Sequence, residues 1–307
     1  MDARRAWVLN LDADLELGAG DGYQPTRSVR LAVAAHARGL VASLLGPGDV
    51  VVDDESPADA ASGLAGRAFC PTPRAIRALL RAGAVPEPYP DVAVLRRVNS
   101  RAFASALGAT MPGAAFVTDA VEAWDRLAAA PPVGDGWRVK HAFGMAGRNQ
   151  RRVDPARRTA ADLAFVRSGL ACGGLQIEPN VAIEEEYAQH GVVAPDGSAS
   201  LGLLVRQRCD ARGAWIASEP AEWDGEAPRP TRSPREAVRD LVAQAVPSEA
   251  RRVASALHRA GYAGPFGVDA YTYRDRGGAL RLQPRSEINA RYTMGFAAGW
   301  PRPAGVR

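Results

Sequence analysis

From Trp7 to Leu17 the apolar residues Val8, Leu9, Leu11, Ala13 and Leu15 are interleaved with Asn10, Asp12, Asp14 and Glu16. A period near two predicts a strand with one buried and one acidic face, the acids standing in solvent near a sheet edge. Tyr23-Gln24-Pro25-Thr26 turns the chain. Thr26 is placed to cap a helix running to about Leu45, where Gly46-Pro47-Gly48 ends it. Val50, Val51 and Val52 make an unbroken apolar run between Asp49 and Asp53, the pattern of a buried strand. Thr72-Pro73 opens another helix, with proline at its first position, that ends near Gly83. Strand, helix, strand and helix in this order predict an α/β unit on a parallel sheet. No GxGxxG follows the first strand, which disfavours a nicotinamide-binding domain.

The stretch from Gly83 to Asp91, with Pro86, Pro88 and Pro90, reads as a linker and a first boundary. Beyond it the pattern predicts a short helix over Asn99–Leu107, an extended Ala114–Val117, and a helix from Thr118 or Asp119 to Ala130. A short apolar strand, Trp137–Val139, follows. Asp154-Pro155 opens an arginine-rich helix that stops at Gly169, and Cys172-Gly173-Gly174 marks a second boundary. An extended run from Leu175 to Tyr187 contains Glu184-Glu185-Glu186. A hairpin turn at 194–198 leads into strands Leu201–Arg208 and Ala214–Ala217. Glu219–Arg232 reads as a long polar connector. Ser233-Pro234-Arg235-Glu236 is a capping box for one helix, and Ser248 starts its successor. The chain closes with strands Phe266–Tyr273 and Ala279–Asn289. The latter is interrupted at Gln283-Pro284-Arg285-Ser286, where a bulge is expected and Arg285 is free to reach a site.

Composition narrows the class. With 307 residues the chain is too long for one ordinary core, and 47% hydrophobic with 23% charged residues is ordinary globular usage. The net charge of +4 comes without a basic run interleaved with aromatics, so nothing supports nucleic-acid binding. Cys70, Cys172 and Cys209 are widely spaced with no CxxC, which argues against a disulfide framework or a zinc site. No apolar run approaches the roughly 18 residues that cross a bilayer, and the default expectation is a cytoplasmic protein.

Two stretches carry the candidate chemistry. Lys140 is the only lysine in the chain, and it closes the Trp137–Val139 strand just before a loop with Gly144, Ala146 and Gly147. A compact ammonium beside loop amides suits phosphate, although the spacing matches no standard phosphate loop. Near the other end, Gly267-Val268-Asp269 lies on one strand and Glu287-Ile288-Asn289-Ala290-Arg291 ends the next. A two-residue step returns to the same strand face, so Glu287 and Asn289 point together. If the Asp269 strand pairs beside them, two carboxylates and an amide oxygen converge. Such an all-oxygen set suits magnesium, whose remaining ligands are waters and substrate phosphates.

The lysine strand with its loop, then Leu175-Gln176-Ile177-Glu178-Pro179-Asn180-Val181, then Gly-Val-Asp and Glu-Ile-Asn-Ala-Arg, resembles the ATP-grasp superfamily over roughly residues 96–295. The resemblance implies a mixed α/β and α+β fold: an N-terminal parallel α/β domain (1–95), then a small lobe (96–174) and a C-terminal lobe (175–307) that clasp ATP. It implies that Arg101, on the helix beginning Asn99-Ser100, contacts the α-phosphate. Lys140 would reach the α- and β-phosphates, and the loop Gly144-Met145-Ala146-Gly147 would cover the γ-phosphate. Glu178, Pro179 and Val181 belong to the hinge that reads adenine, largely by backbone. The ribose carboxylate is one of Glu184, Glu185 and Glu186, and Glu186 followed by Tyr187 fits best. Asp269, Glu287 and Asn289 match the ligands of Mg2+, Arg291 matches an arginine steadying the transferred phosphoryl group, and Arg206 is a second candidate for that task.

The activity implied is ADP-forming ligation, a carboxylate being activated as an acyl phosphate and joined to an amine of amino-acid or peptide type. The partners are then small molecules, with no nucleic acid and no membrane, and homodimers are common in the superfamily. Two other readings use the same scaffold: a small-molecule kinase, and a non-catalytic nucleotide-binding module. The metal-ligand set speaks against the module. If the N-terminal unit faces the cleft, Asp12, Asp14 and Glu16 with Tyr23 form an acidic wall that favours a cationic acceptor.

Overall fold

The structure is a computed structural model that describes residues 4–145, 147–210, 215–221 and 234–300. The first unit contains β1 (Arg5–Val8), α1 (Ala13–Ala19), α2 (Arg27–Leu44), β2 (Val50–Val51), β3 (Ala65–Ala68), α3 (Pro73–Arg81) and β4 (Val85–Pro86). Its strands form a four-stranded parallel sheet in the order β2-β1-β3-β4. Thr26 caps α2 through its side chain, as expected, and Pro73 stands in the first turn of α3. The Val50–Val52 run lies at the sheet edge rather than inside it, and Val51 is exposed. The supposed linker contributes β4 to the opposite edge.

The strand expected over Trp7–Leu17 ends at Val8, and the acidic half of the alternation is α1. Its acids are not in solvent. Asp12 is paired with the Arg74 guanidinium at 2.7 Å. Glu16 accepts from the Thr72 hydroxyl at 2.7 Å and from the Arg74 backbone N–H at 2.9 Å, which caps α3. Asp14 is paired with Arg291 at 2.5 Å. All three are buried, a placement that paired, hydrogen-bonded carboxylates can sustain. The acidic wall is therefore already partnered within the chain, Arg74 serving Asp12 and Glu16 and Arg291 serving Asp14, and no cationic acceptor is needed to explain it.

The second unit begins with α4 (Val92–Asn99), which the sequence pattern did not indicate. Asp91 caps it at the Ala93 N–H. There follow α5 (Arg101–Ala106), β5 (Ala115–Val117), α6 (Ala120–Ala128), β6 (Trp137–His141), β7 (Gln150–Val153), α7 (Ala160–Ala171) and β8 (Leu175–Pro179). The strands form an antiparallel sheet in the order β5-β8-β6-β7. β8, which follows the boundary expected at Gly174, is hydrogen-bonded inside this sheet, between β5 and β6. α7 starts at a reciprocal Thr159–Asp162 capping box instead of at Asp154-Pro155, because that box satisfies the helix's first free N–H groups.

The third unit contains β9 (Ala182–Val193), β10 (Ala199–Cys209), β11 (Trp215–Pro220), α8 (Pro234–Arg259), β12 (Gly264–Arg274), β13 (Leu280–Asn289) and the short α9 (Phe296–Gly299). Its five-stranded antiparallel sheet runs β11-β10-β9-β12-β13. Most of the connector expected over Glu219–Arg232, and Ser233 of the expected capping box, lie outside the described residues. The two helices expected around Pro247 are one, α8. Val242, Val246, Ala250, Val253 and Leu257 are fully buried along its length, and burial of that stripe outweighs the hydrogen bond that Pro247 cannot make. One apolar cluster joins Leu17 of α1, Leu95 and Val98 of α4, Leu257 of α8 and Phe266 of β12. Each such side chain contributes roughly 1.5–3 kcal/mol on burial, enough to hold the first unit against the third. Among the described residues no helix is long and apolar enough to cross a membrane.

Candidate active site

A cleft of ≈ 970 Å³ runs between the two antiparallel sheets and reaches the first unit. Lys140, Arg101, Asp269, Glu287, Asn289 and Arg291 all line it. The antiparallel register sets Asp269 of β12 directly opposite Glu287 of β13, and Gly267 opposite Asn289. Two steps along β12, from Asp269 to Tyr271, span four along β13, from Glu287 to Gln283. This is the bulge expected at Pro284. Arg285 does not reach the cleft: it is buried in the other direction, bonded to Glu249 and to the Gly108 carbonyl.

Hydrogen bonds fix the acidic cluster. Gln207 Nε2 donates to Asp269 Oδ1 at 2.9 Å, and Asn289 Nδ2 donates to Asp269 Oδ2 at 3.0 Å. Burial, with the neighbouring charge of Glu287, raises the Asp269 carboxyl to about 6. Burial acts on Glu287 in the same sense, but Arg101, Lys140 and Arg291 together hold it below its ordinary value. Arg101, the first residue of α5, spans the cleft: Nη2 meets Glu287 Oε1 at 2.5 Å and Nη1 donates to the His141 carbonyl at 2.7 Å. Two opposed carboxylates and an amide oxygen fit a hard divalent cation such as magnesium, and one of the carboxylates is short of positive charge as the chain stands.

Lys140 follows from the alternation of β6. Trp137 and Val139 are buried beneath the sheet, so Arg138 and Lys140 take the other face. Glu178 lies opposite Arg138 in the register and pairs with the Lys140 ammonium at 2.7 Å. Both side chains are largely buried (14% and 6% exposed). The Glu178 side chain is thus a partner for Lys140 rather than a reader of a base. In the hinge, Asn180 gives its N–H to the Gly136 carbonyl and takes the Asp135 N–H, while Pro179 has no N–H. Backbone reading of a ligand there falls to Glu178, to Val181 and to the Pro179 carbonyl, which can still accept a hydrogen bond. Gly134 makes this approach possible: a Cβ would stand 2.0 Å from the Asn180 oxygen, at a backbone φ of +72°.

The glycine loop is docked against the first unit. Met145 is buried with Trp7, Leu9, Leu11 and Phe69, so its side chain anchors the loop against the first unit at the wall of the cleft. At Gly144 a Cβ would come within 2.7 Å of the Arg148 carbonyl and 3.2 Å of Arg101 Nη1. Glycine there lets the loop close on that guanidinium. Gly147 holds a left-handed turn at φ +76°, and Ala146 lies outside the described residues.

Of the three consecutive glutamates, Glu184 pairs with Arg274 at 2.9 Å, and Glu185 with Arg235 at 3.1 Å and the Tyr187 hydroxyl. Glu186 is in register with Gln207 and Tyr271, on the face of the sheet that carries Asp269. Arg206 alternates to the opposite face, in register with Tyr187, and pairs with Glu219 at 2.6 Å; it is not brought to Asp269. Arg291 is brought there, held by Asp14 and donating to Asn289 Oδ1 at 2.9 Å. The sequence reading missed Gln207, which alternation along β10 sets on the face opposite Arg206. It also missed the pairing of Asp14 with Arg291, for which no local signal exists.

No protein-family model and no curated protein sequence matches the chain. Solved structures match it in fold. Biotin carboxylase from Campylobacter jejuni, in its β-γ-ATP complex, is similar with a TM-score of 0.50 and 12% identity, over 99% of this chain and 72% of that one. Rhizobium etli pyruvate carboxylase with acetyl coenzyme-A has a TM-score of 0.49 at 16% identity, over 97% and 27% of the two chains. Staphylococcus aureus N5-carboxyaminoimidazole synthetase with ADP has 0.48 at 12% identity, over 95% and 71%. The last two likenesses are weaker. At such identities the likeness is one of fold: the chain has the ATP-grasp fold, the architecture its sequence motifs implied.

Proposed function

We propose that the chain is an ADP-forming, ATP-dependent ligase that activates a carboxylate and joins it to an amine. The observation that carries this reading is the opposition of Asp269 and Glu287 across β12 and β13, faced by Arg101 and Lys140 from the other side of one cleft. A triphosphate needs that arrangement: cations along its length, and a divalent-cation site at the end where charge migrates. Asp269, Glu287 and Asn289 are the residues that would hold magnesium, which when bound would neutralise the terminal phosphate oxygens. Arg101 and Lys140 bind the remaining phosphates, at the expense of their present partners Glu287 and Glu178. Glu186 takes the ribose, and the backbone of Glu178, Pro179 and Val181 reads the adenine edge. In the reaction an oxygen of the acid attacks the γ-phosphorus and ADP leaves. The amine then displaces phosphate from the acyl carbon. Alignment and charge cancellation account for such transfers, and no general base is assigned.

The test is a screen of amino acids and dipeptides for ATP-dependent phosphate release. The expected result is ADP and phosphate formed only when an acid and an amine are both present. ADP formation that needs a single hydroxyl substrate, with a phosphorylated product, would replace the ligase by the kinase. Nucleotide binding with no turnover of any pair would leave the regulatory module.

A further inference from the structure

The contacts at the metal end of the cleft form one series that begins outside the two lobes. Asp14, on α1 of the first unit, takes Arg291 Nε at 3.2 Å and Nη2 at 2.5 Å. Arg291 Nη2 also donates to Asn289 Oδ1 at 2.9 Å, and Asn289 Nδ2 donates to Asp269 Oδ2 at 3.0 Å. The series has a direction. A guanidinium has only donors, so the amide oxygen of Asn289 must face Arg291 and its nitrogen must face Asp269, which as a carboxylate can only accept. Turned over, the amide would set N–H against N–H at one end and oxygen against carboxylate at the other.

The same counting constrains Arg291. Of its five N–H bonds, Nε and one on Nη2 go to Asp14, the second on Nη2 goes to Asn289, and Nη1 gives one to the Tyr292 carbonyl at 3.1 Å. Among the described residues one N–H, on Nη1, is left. The ring of Phe69 lies 5.4 Å from the guanidinium carbon and holds its plane from one side. Arg291 therefore offers a substrate oxygen a single hydrogen bond and not a two-pronged clamp.

We propose that Asp14 is a positioning residue: acting through Arg291 it fixes the orientation of the Asn289 amide, and so presents Asn289 Oδ1 and Asp269 to a divalent cation. The first unit thereby completes the cation site. This inference rests on the metal-site reading above. Asp14 lines the cleft with both its carboxylate oxygens taken by Arg291, and the sequence separation of the pair makes it a product of the packing of the first unit on the third.

The test separates cation affinity from nucleotide affinity in the full chain. Mn2+ binding is measured by electron paramagnetic resonance in the presence of ADP, and ADP binding by calorimetry in EDTA. Asp14→Asn is expected to weaken Mn2+ about 10- to 100-fold, the usual effect of removing an outer partner of a metal ligand. Metal-free ADP affinity should stay within about twofold, because Arg101 and Lys140 are held by other residues. Mn2+ affinity unchanged in a cooperatively folding variant overturns the proposal, as does an equal loss in both measurements. Should Asp14→Asn not fold, Asp14→Glu, which keeps the charge but moves the carboxylate off the Arg291 fork, is measured in its place with the same expected split and the same refuting results. If the unmutated chain binds no Mn2+ with ADP present, the metal-site reading itself has failed, and this inference with it.

Discussion

Lys140 invites a test that separates holding the fold from holding a phosphate. Its ammonium and the Glu178 carboxylate meet at 2.7 Å with little of either side chain in solvent. Replacing Lys140 with Met leaves a buried carboxylate without its counter-charge, which costs about 3–5 kcal/mol where such pairs are broken from one side. Replacing both partners with apolar residues of similar volume, as in Lys140→Met with Glu178→Leu, is commonly near neutral, so the double variant should recover most of that loss. Nucleotide binding should not recover with it. A charged hydrogen bond to phosphate contributes about 1.5–3 kcal/mol, roughly 10- to 150-fold in Kd, and the double variant still lacks it. The assays are urea unfolding and ADP titration on the three chains. If the double variant regains both stability and ADP affinity, Lys140 is a structural residue and the assignment of the cleft to a triphosphate loses its first support.

Other consequences follow from particular contacts. Because Lys140 is the only lysine, an amine-specific reagent can modify only it and the amino terminus. Peptide mapping should show Lys140 shielded by Mg-ATP, and equal labelling with and without nucleotide would contradict the reading. Arg101→Ala removes the side chain that links the His141 carbonyl to Glu287, and should cost about 100- to 1000-fold in turnover once the substrates are known. His190 is buried against Gly267, Gly295 and Gly299, and burial lowers its pKa to about 4 from an unfolded value near 6.5. The native chain then binds fewer protons than the unfolded chain, so stability is full above pH 6.5 and falls by about 3 kcal/mol as pH drops to about 4. His190→Gln should flatten that part of the urea-midpoint profile. Gly134→Ala should destabilise by more than about 1 kcal/mol in the same assay, since a Cβ would meet the Asn180 carbonyl on a left-handed backbone.

The sequence alone determined the parts of this protein that repeat within a few residues. Trp137-Arg138-Val139-Lys140 alternates, and alternation puts a lysine on the face opposite a buried tryptophan whatever surrounds it. Glu287-Ile288-Asn289 shares a strand face for the same reason, and Thr26, Ser100 and Asp119 cap helices because capping is decided by the next few N–H groups. What the sequence could not settle depends on charges and apolar surfaces that come from far along the chain. Asp12, Asp14 and Glu16 read as a solvated strand face because their arginine partners lie 62, 277 and 58 residues away. α8 passes through Pro247 because a sheet elsewhere buries one side of it, and Arg285 points away because Glu249 draws it. Tertiary structure also decided between Arg206 and Gln207, since parity along β10 becomes informative only once the sheet face that carries Asp269 of β12 is known. Periodicity is a local property and is written into the chain. A charge finds its partner only when the units pack together, and it is by that packing that Asp14 reaches the cleft.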